Sequence, residues 1–491
     1  MSGPDSVAAL KARYGENYRW LLLLSVMVGT MASIMSSTVV NVAIPGMSQH
    51  FALGQERAQW VSSGFMMATA VAMLTTPWLL TRYGYRTTYA GAMLLLLIGG
   101  LVGGSTHQFD WVLLARVAEG LAAGVVQPIP AVIILHAFQP HEQGRASGIF
   151  GMGVVLAPAL GPSVGGLLVD WWGWRSIFFM VVPLCVASLW LAYRFVPVTG
   201  PGGTQAGRHT AALDWRGLLL GAIGTLCLLN GLVTLHSGPA AQSAILLGAA
   251  LVAVLAFVWW QQRQTASGAQ PLMDLRIFAY RPFAMGSVVA FIYGTALFGS
   301  TYLLPVFMQV GLGLSASHVG TIMLPAGLVL AITIPVVGRM ADRQPTHRLV
   351  MIGLALMAVS FILMVWVRQD ATLWVLVLFT IVGRIGLGFV LPSLNLGAMR
   401  PLDKTLISQG SSAISFLRTL GGAAGVGLCG IVLEWRLAAH GTSLHAPVAG
   451  AQRMAAFGEA FLMLGALCLL ALVAAWQLRV PHSAPVTPPA P

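Results

Sequence analysis

The sequence predicts an all-α integral membrane protein that crosses the bilayer about fourteen times. Of its 491 residues, 57% are hydrophobic and only 8% are charged, and the mean hydropathy is +0.81. A soluble domain carries about 25% charged residues, so this chain has too few polar residues to cover a water-soluble fold. Its apolar residues also fall into runs of about 20, the length that a membrane-spanning helix requires.

These apolar runs occur in an order that suggests two similar halves with an insertion. The predicted organisation is an N-terminal cytoplasmic segment (1–18), a six-helix bundle (19–196), a cytoplasmic linker (197–214), two inserted helices (215–261), a second cytoplasmic linker (262–282), a second six-helix bundle (283–478) and a disordered tail (479–491). The spans are predicted at Arg19–Pro45, Ala58–Leu80, Thr88–Ser105, Trp111–Ala137, Ala146–Val169, Ser176–Val196, Trp215–His236, Ala241–Gln261, Phe283–Val310, His318–Met340, Leu349–Val367, Thr372–Ala398, Leu406–Leu433 and Ala455–Leu478.

The distribution of positive charge predicts the orientation. The chain has 26 Lys and Arg against 14 Asp and Glu, scattered between apolar runs rather than clustered, which argues against a nucleic-acid partner. With the N-terminus inside, 18 of the basic residues lie on cytoplasmic segments, five lie outside and three lie within spans. Because cytoplasmic loops carry the excess of Lys and Arg, both termini are predicted to be cytoplasmic, in a bacterial inner membrane.

No catalytic, metal-binding or cofactor-binding pattern is present. The four cysteines are dispersed through apolar runs, and no two His residues have metal-ligand spacing. The chain lacks the phosphate-binding G-x-x-x-x-G-K-[ST] pattern and a nucleophile elbow. The sequence therefore predicts a protein that is not an enzyme, binds no cofactor and does not use ATP.

Two loops indicate an internal repeat. Leu80–Arg86 reads LTRYGYR, and Gly338–Arg348 reads GRMADRQPTHR. Each loop is followed by one span and then by a span with an arginine inside it, Arg116 in the first half and Arg384 in the second. Parallel repeats of this kind are typical of secondary transporters, which bind their substrates between the halves.

Six further segments carry a family resemblance. They are STVVNVAIP (Ser37–Pro45), APALGPSVGG (Ala157–Gly166), WGWRSIFF (Trp172–Phe179), LDWRGLLL (Leu213–Leu220), PLMDLRIF (Pro271–Phe278) and SSAISFLRTLGGAAG (Ser411–Gly425). In this order the set resembles the fourteen-helix drug:proton antiporters of the major facilitator superfamily. The resemblance implies a major facilitator fold of six plus two plus six helices in two pseudo-symmetric bundles. It also implies proton-driven export of a small molecule by alternating access. A periplasmic adaptor protein is left open as a partner, and a monomer is expected.

The resemblance also assigns roles to two sets of residues. One set forms the antiporter motif of the fifth span, for which plain helix packing is the alternative. The other set forms two conformational latches, for which loops that only fix topology are the alternative; the first latch is degenerate because Thr81 replaces its usual Asp. The motif residues are Ala157, Gly161, Pro162, Gly165 and Gly166, and the latch residues are Arg82, Gly84, Arg86, Gly338, Asp342 and Arg343.

Arg116 and Glu119 are the candidates for proton coupling. They are three residues apart on the fourth span, close enough to interact on a helix. A charge inside a span is costly, so its presence indicates a function. They form either a static ion pair or a proton-exchanging site. By resemblance, position 36 should hold an aspartate linked to coupling, but it holds Ser36. Either Glu119 replaces that aspartate, or the coupling is altered, or the substrates are not cationic.

Seven residues are candidates for the substrate cavity. Arg384 and Arg418 either face an anionic or zwitterionic substrate or hold helices together through backbone carbonyls. A dedicated exporter of one metabolite, siderophore or lipid-like compound is an alternative function, and a non-transporting membrane sensor is a remote one. The cavity candidates are Ser36, Asn41, Gln127, Gln309, Arg384, Asn395 and Arg418.

Overall fold

The computed structural model describes residues 7–53, 55–198, 212–237, 239–367, 372–443 and 450–479, and within these ranges the chain forms helices and no strand. Thirteen of the described helices are long and apolar enough to cross a membrane. A further long helix, Gln143–Trp172, occupies the fifth predicted span. The all-α prediction is confirmed, and the helix count agrees with the fourteen predicted spans. Most of the first linker and the tail beyond Arg479 lie outside the described residues.

The long helices are numbered in chain order. They are α1 (Tyr18–His50), α2 (Gln55–Tyr83), α3 (Tyr85–Ser105), α4 (Phe109–Ala137), α5 (Gln143–Trp172), α6 (Ser176–Phe195), α7 (Trp215–Ser237), α8 (Ala240–Ala266), α9 (Arg281–Val306), α10 (Ala316–Ala341), α11 (Thr346–Val365), α12 (Leu373–Met399), α13 (Ile407–Ala439) and α14 (Ala451–Trp476). A short helix, Val7–Tyr14, precedes α1 in the segment predicted to be a polar terminus.

Two of these helices are irregular inside the bundle. The helical hydrogen bonding of α4 stops at Val126 and resumes at Ile129, because Pro128 and Pro130 lack the N–H groups that would continue it. Helix α9 continues past its last α-helical residue as a π-helical turn, Phe307–Gly311. Such turns are rare and are found frequently at functional sites.

The packing pattern repeats in the two halves. In the first half, α1 packs against α5 and α6, α2 packs against α4, and α3 packs against α4 and α6. In the second half, α9 packs against α13 and α14, α10 against α12, and α11 against α12 and α14. Each pair in the first half thus has a counterpart eight helices later. This correspondence agrees with two pseudo-symmetric six-helix bundles.

The two bundles meet along two seams, α2 with α13 and α5 with α10. Glycines allow the second seam to be close: a Cβ atom on Gly144 would overlap the Gly338 carbonyl oxygen, and one on Gly338 would overlap the Gly144 carbonyl oxygen. The inserted helix α7 packs against α8 and against both helices of the first seam. The insert therefore lies beside the junction of the two bundles.

Asp214 joins the two inserted helices to each other. Its carboxylate accepts hydrogen bonds from Trp260 Nε1 (2.9 Å) and Gln261 Nε2 (2.9 Å), and from the backbone N–H of Gly217 (2.9 Å). The Gln261 side-chain oxygen accepts a bond from the backbone N–H of Met273 in the second linker (3.2 Å). The motifs that flank the insert thus hold its two helices together.

Candidate functional site

Arg116 and Glu119 form an ion pair in the interior of the first bundle. Arg116 is 1% exposed and Glu119 is fully buried, and Arg116 Nη1 lies 2.5 Å from Glu119 Oε2. Both side chains project from α4, one turn apart. Because two desolvated charges are stable only when their polar atoms are well satisfied, the groups around this pair determine what it can do.

Ser36 of α1 joins both members of the pair. Its hydroxyl donates to Glu119 Oε2 (3.0 Å) and accepts from Arg116 Nη1 (2.7 Å), and the residue is 4% exposed. The serine at the position where an aspartate was expected therefore contacts the carboxylate of Glu119. The structure brings these three predicted residues into one cluster that spans α1 and α4.

Helix α2 supplies the remaining contacts of the arginine. Arg116 Nε donates to the Val61 backbone carbonyl (3.2 Å), and the guanidinium lies 4.3 Å from the centroid of the Phe65 ring. A cation over an aromatic face is attracted by the ring quadrupole. The sequence did not reveal Val61 or Phe65, because a carbonyl contact has no residue signature and phenylalanine is common in spans.

The two oxygens of the Glu119 carboxylate have different surroundings. Oε2 is held by Arg116 and Ser36, whereas Oε1 is buried and accepts no hydrogen bond from the described residues. Gly99 and Gly100 of α3 make room for the side chain, since a Cβ on Gly99 would lie 2.6 Å from Glu119 Cγ. The carboxyl group is thus fixed at one oxygen and has a free acceptor position at the other.

A cavity lies between the two bundles. Gln127, at the interruption of α4, lines it together with Asn395 of α12 and Arg418 of α13, so three of the predicted cavity residues are brought together. The other lining residues, which are apolar or small hydroxylic side chains, are Ala131, Ile134, Leu135, Ser147, Phe150, Leu396, Met399, Ser411, Ile414 and Ser415.

Arg384 and Arg418 are both partly exposed within the second bundle. Tyr293 of α9, which is 3% exposed, interacts electrostatically with both of them. Within the described part of the chain, neither arginine makes a hydrogen bond or an ion pair. The predicted alternative, that these arginines hold helices through backbone carbonyls, has no such contact among the residues that the structure describes.

Two other predicted cavity residues lie elsewhere. Asn41 is exposed, and its Oδ1 accepts a hydrogen bond from Ser62 Oγ (3.1 Å). Gln309 is exposed on the π-helical turn after α9, where Arg453 Nη1 donates to the Val310 carbonyl (3.1 Å). Neither Asn41 nor Gln309 lines the cavity between the bundles.

The second predicted latch connects the two bundles. Asp342, just after α10, accepts hydrogen bonds from the backbone N–H groups of Gly144 (2.6 Å) and Arg145 (2.8 Å) at the start of α5. Carboxylates are stabilised at a helix N-terminus by the unpaired N–H groups and the helix dipole. Arg400, just after α12, lies 3.6 Å from Asp342 and donates to the Pro140 carbonyl (2.7 Å).

Both charged groups of this latch are partly shielded from water, since 9% of the Asp342 side chain and 30% of the Arg400 side chain are exposed. Burial raises the pKa of Asp342 above its ordinary range, against the opposing effect of the two backbone donors and Arg400. Burial likewise lowers the pKa of Arg400, against the attraction of Asp342. The hydrogen bonds of this latch therefore offset a desolvation cost.

The other latch candidates do not join the bundles in the described structure. Arg343 and Arg82 are exposed, and Gly84 precedes α3 with a φ of 81°, a conformation that suits glycine. Arg86 Nε donates to the Val196 carbonyl (2.7 Å) inside the first bundle. Arg400, which the sequence suggested only as a topology determinant, takes the bridging role that had been expected of Arg343.

The antiporter motif lies on α5, where it faces α1. Ala157 is 1% exposed, and a Cβ on Gly165 would press on the side chain of Val39, whereas one on Gly166 would meet nothing. Gly161 and Pro162 lie on the same helix within 158–163, whose side chains are outside the described part. The close approach at Gly165 agrees with the packing interpretation.

The hydrogen bonds that join the bundles lie toward one end of the helices. We call this the terminal end, since α1 begins there and α14 ends there. Besides the latch, Ser411 Oγ donates to the Pro128 carbonyl (2.7 Å) and Ser412 Oγ to the Met73 carbonyl (2.5 Å). Among the described residues, every hydrogen bond between the two bundles lies in this half. The bundles are therefore closed at the terminal end.

Comparisons with known proteins place this architecture in a family. Residues 26–426 match the sequence profile of the Major Facilitator Superfamily. The chain is 28% identical to the multidrug resistance protein B homolog of Mycobacterium tuberculosis, over 84% of this chain and 77% of that protein. It is 24% identical to the lincomycin resistance protein LmrB of Bacillus subtilis, over 84% of this chain and 85% of that protein.

A solved structure shows the same fold. The proton:xylose symporter XylE superposes with a TM-score of 0.66 and 12% sequence identity, over 94% of this chain and 96% of that chain. The profile match runs from α1 through the insert to residue 426 in α13, and the resemblance to multidrug exporters agrees with the names of the relatives. The chain is a multi-pass membrane transporter, not an enzyme, and it belongs to the Major Facilitator Superfamily.

Proposed function

We propose that this transporter exports small amphipathic molecules from the bacterial cytoplasm in exchange for protons, by alternating access, with both termini cytoplasmic. The buried cluster of Glu119, Arg116 and Ser36 is the observation that carries the proposal. It offers one titratable carboxylate inside the bundle, at the first-helix position where the resemblance expects an aspartate. The multidrug and lincomycin resistance names of the relatives support the substrate class and the direction of transport.

Glu119 is the proton carrier in this proposal. When the carboxylate is charged, it neutralises Arg116 across 2.5 Å. Protonation at the free Oε1 removes the negative charge that compensates the buried Arg116. Among the described residues the arginine then keeps only uncharged acceptors, namely Glu119 Oε2, the Ser36 hydroxyl and the Val61 carbonyl. An uncompensated charge in a dry site is costly, so protonation favours a rearrangement of α1, α2 and α4 around the arginine. This rearrangement links proton binding to the conformation of the bundle.

Alternating access follows from the two seams between the bundles. In this structure the latch and the serine contacts close the terminal end, which is the cytoplasmic side in the proposed orientation. Opening them while the opposite ends approach each other exposes the cavity to the cytoplasm. One charge moving through 100 mV provides about 2.3 kcal/mol, which sustains roughly a 50-fold substrate gradient. One proton per cycle is therefore enough for useful export.

The test uses purified protein in proteoliposomes and a panel of anionic, neutral and cationic dyes. We expect an imposed pH gradient to drive dye transport by the wild-type protein. Glu119→Gln should reduce that transport to the background of empty vesicles while dye binding persists, since the variant keeps the shape of the site and loses the proton. Asp110→Asn is the matched control, because Asp110 lies on the same helix with its side chain 83% exposed. Wild-type rates in Glu119→Gln would contradict the proposal.

A second candidate function is a dedicated exporter of one compound without proton coupling. The serine at position 36 favours it, as do Arg384 and Arg418, which have no ion-pair partner among the described residues. The same vesicles separate the two candidates, because an uncoupled exporter equilibrates its substrate at a rate that the pH gradient does not change.

A further inference from the structure

Equivalent arginines in the two bundles have different neighbours on their own helices. Arg116 and Gln127 are eleven residues apart on α4, and Arg384 and Asn395 are eleven residues apart on α12, 268 positions later. The residue 268 positions after Glu119 is Leu387, which is 3% exposed. The arginine of the first bundle therefore has a carboxylate partner in its own helix, and the arginine of the second bundle has a leucine in its place.

Arg418 has no carboxylate partner in the described structure either. Within the described residues, neither arginine lies within ion-pair distance of an acidic side chain. The acidic residues on the described spans of the second bundle are Glu434 and Glu459, near the ends of α13 and α14 remote from the terminal end, and Glu459 is paired with Arg436 and His440. The described interior of the second bundle thus carries two positive charges and no compensating negative one.

Only one of the two arginines, Arg418, is among the residues that line the cavity. Eleven residues make about three helical turns, or about 16 Å, so Arg384 lies on the same face of α12 as the cavity residue Asn395 but farther from the terminal end. Arg418 lines the cavity itself, along the stripe of α13 that carries Ser411 and Ser415. Tyr293 of α9 interacts electrostatically with both arginines. Two helices of the second bundle, α12 and α13, therefore carry positive charges that both act on this tyrosine.

A charge inside a membrane span is costly, and its usual partner is an opposite charge or a functional ligand. Within the described chain, the protein supplies Arg116 with such a partner and supplies none to Arg384 and Arg418. The cavity also provides an apolar surface, formed by Phe150, Met399 and Ile414. A ligand that fits both features has one anionic group and an apolar body.

We infer that the cavity between the bundles binds amphipathic organic anions. The carboxylate or sulfonate of the ligand is held by Arg418 at the cavity wall and by Arg384 farther from the terminal end, and its apolar body lies against the other lining residues. This inference rests on the proposed export function and names the substrate class of that same site. Guanidinium groups suit this role because their planar N–H donors bind two oxygens of one acid group at once.

The charge of the substrate has a consequence for energetics. Export of a singly charged anion against one proton moves two charges across the membrane in each cycle. A neutral substrate moves one charge, and a singly charged cation moves none. The membrane potential therefore drives both the inward movement of the proton and the outward movement of the anion. At equal flux, the transport current with an anionic substrate should exceed the current with a neutral one.

The binding test uses two dyes with the same rhodamine core, the singly anionic sulforhodamine B and the singly cationic rhodamine 123. Fluorescence polarisation with the purified full-length protein should show tighter binding of sulforhodamine B. Arg418→Gln and Arg384→Gln should each weaken sulforhodamine B binding by about 10- to 100-fold, the effect of losing hydrogen bonds to a charged group. Rhodamine 123 binding should stay the same or become tighter.

Two comparison variants separate loss of charge from loss of fold. Arg418→Lys keeps the positive charge and should retain part of the preference for sulforhodamine B. Arg194→Gln removes a charge from an exposed position at the end of α6 and should change neither dye. A variant that only unfolds the protein would lose both dyes together and would melt at a lower temperature, in which case Arg418→Lys decides the question.

The inference is overturned if the wild-type protein binds rhodamine 123 at least as tightly as sulforhodamine B, if it binds neither, or if both glutamine variants keep sulforhodamine B affinity within twofold. These results are distinct from a failure of the proposed function. Binding of the anion that depends on both arginines, together with transport that ignores the pH gradient, would support the inference and contradict proton-coupled export.

Discussion

At the scale of single residues, the structure relates a serine on α1 to a glutamate on α4. The Ser36 hydroxyl touches both Glu119 and Arg116, so the carboxylate from α4 reaches the position where the resemblance expects one from α1. The cluster has one titratable carboxylate whether it comes from an aspartate on α1, as the resemblance expects, or from Glu119 on α4, as here. This explains how a chain without the expected aspartate retains a group that can carry a proton.

This relation predicts a rescue. In the Glu119→Gln background, Ser36→Asp should restore proton-driven transport. The Ser36 hydroxyl already lies 2.7 Å from Arg116 Nη1, so an aspartate at this position can place its carboxylate beside the arginine. Dye transport into proteoliposomes under a pH gradient measures the effect. Ser37→Asp in the same background is the control and should not restore transport, since the half-buried Ser37 hydroxyl donates to the Ile34 carbonyl of its own helix. Equal activity of the two double variants would refute the relation.

The sequence predicted part of this cluster and missed the rest for identifiable reasons. Arg116 and Glu119 could be paired in advance because residues three apart share a helix face. The roles of Val61 and Arg400 could not be predicted, since Val61 acts through its backbone carbonyl and Arg400 resembles any other basic residue at the end of a span. Long-range contacts of this kind depend on how helices pack, which a single sequence does not specify.

At the scale of helices, the α5–α10 seam combines close glycine packing with a polar latch. Gly144 and Gly338 bring the two backbones together, and this approach lets Asp342 reach the unpaired N–H groups at the start of α5. The family resemblance also predicted a latch in the first loop, in a degenerate form because Thr81 replaces its usual Asp. In the structure Thr81 donates to the Pro77 carbonyl of its own helix, and Arg86 Nε donates to the Val196 carbonyl inside the first bundle.

The latch predicts a change in accessibility. Asp342→Ala removes two hydrogen bonds to a charged acceptor, and we expect the terminal end to open roughly 10- to 100-fold more often. The measurement is the labelling rate of Ser415→Cys by a membrane-impermeant maleimide, in a background without the four native cysteines. Arg400→Gln should act in the same direction. Arg343→Ala should leave the rate unchanged because Arg343 is exposed, and an Arg343 effect as large as that of Asp342 would contradict this assignment.

Helix irregularities were harder to predict than helix positions. The long apolar runs located the helices well, but the interruption of α4 at Gln127 and the π-helical turn after α9 were not foreseen. Pro128 could have indicated the first, since proline removes a helical hydrogen bond. The π-helical turn has no comparable sequence signal, because its residues also suit an ordinary helix.

At the scale of the whole molecule, the structure is closed at the end where α1 begins and α14 ends. The sequence predicted two bundles and a site between them, but not which end is closed, because both conformations of a transporter share one sequence. The balance between them depends on contacts at the seams and on the charge of the Glu119 cluster. In the proposed orientation this conformation is closed toward the cytoplasm.

Exchange of substrate for protons through Glu119 is the central claim, and proton movement tests it most directly. Proteoliposomes are loaded with sulforhodamine B and placed in a weakly buffered medium, where dye release and external pH are recorded together. We expect the external medium to become more alkaline as the dye leaves wild-type vesicles, and we expect Glu119→Gln to abolish this proton uptake. Dye release by the wild-type protein without any change in external pH would contradict it.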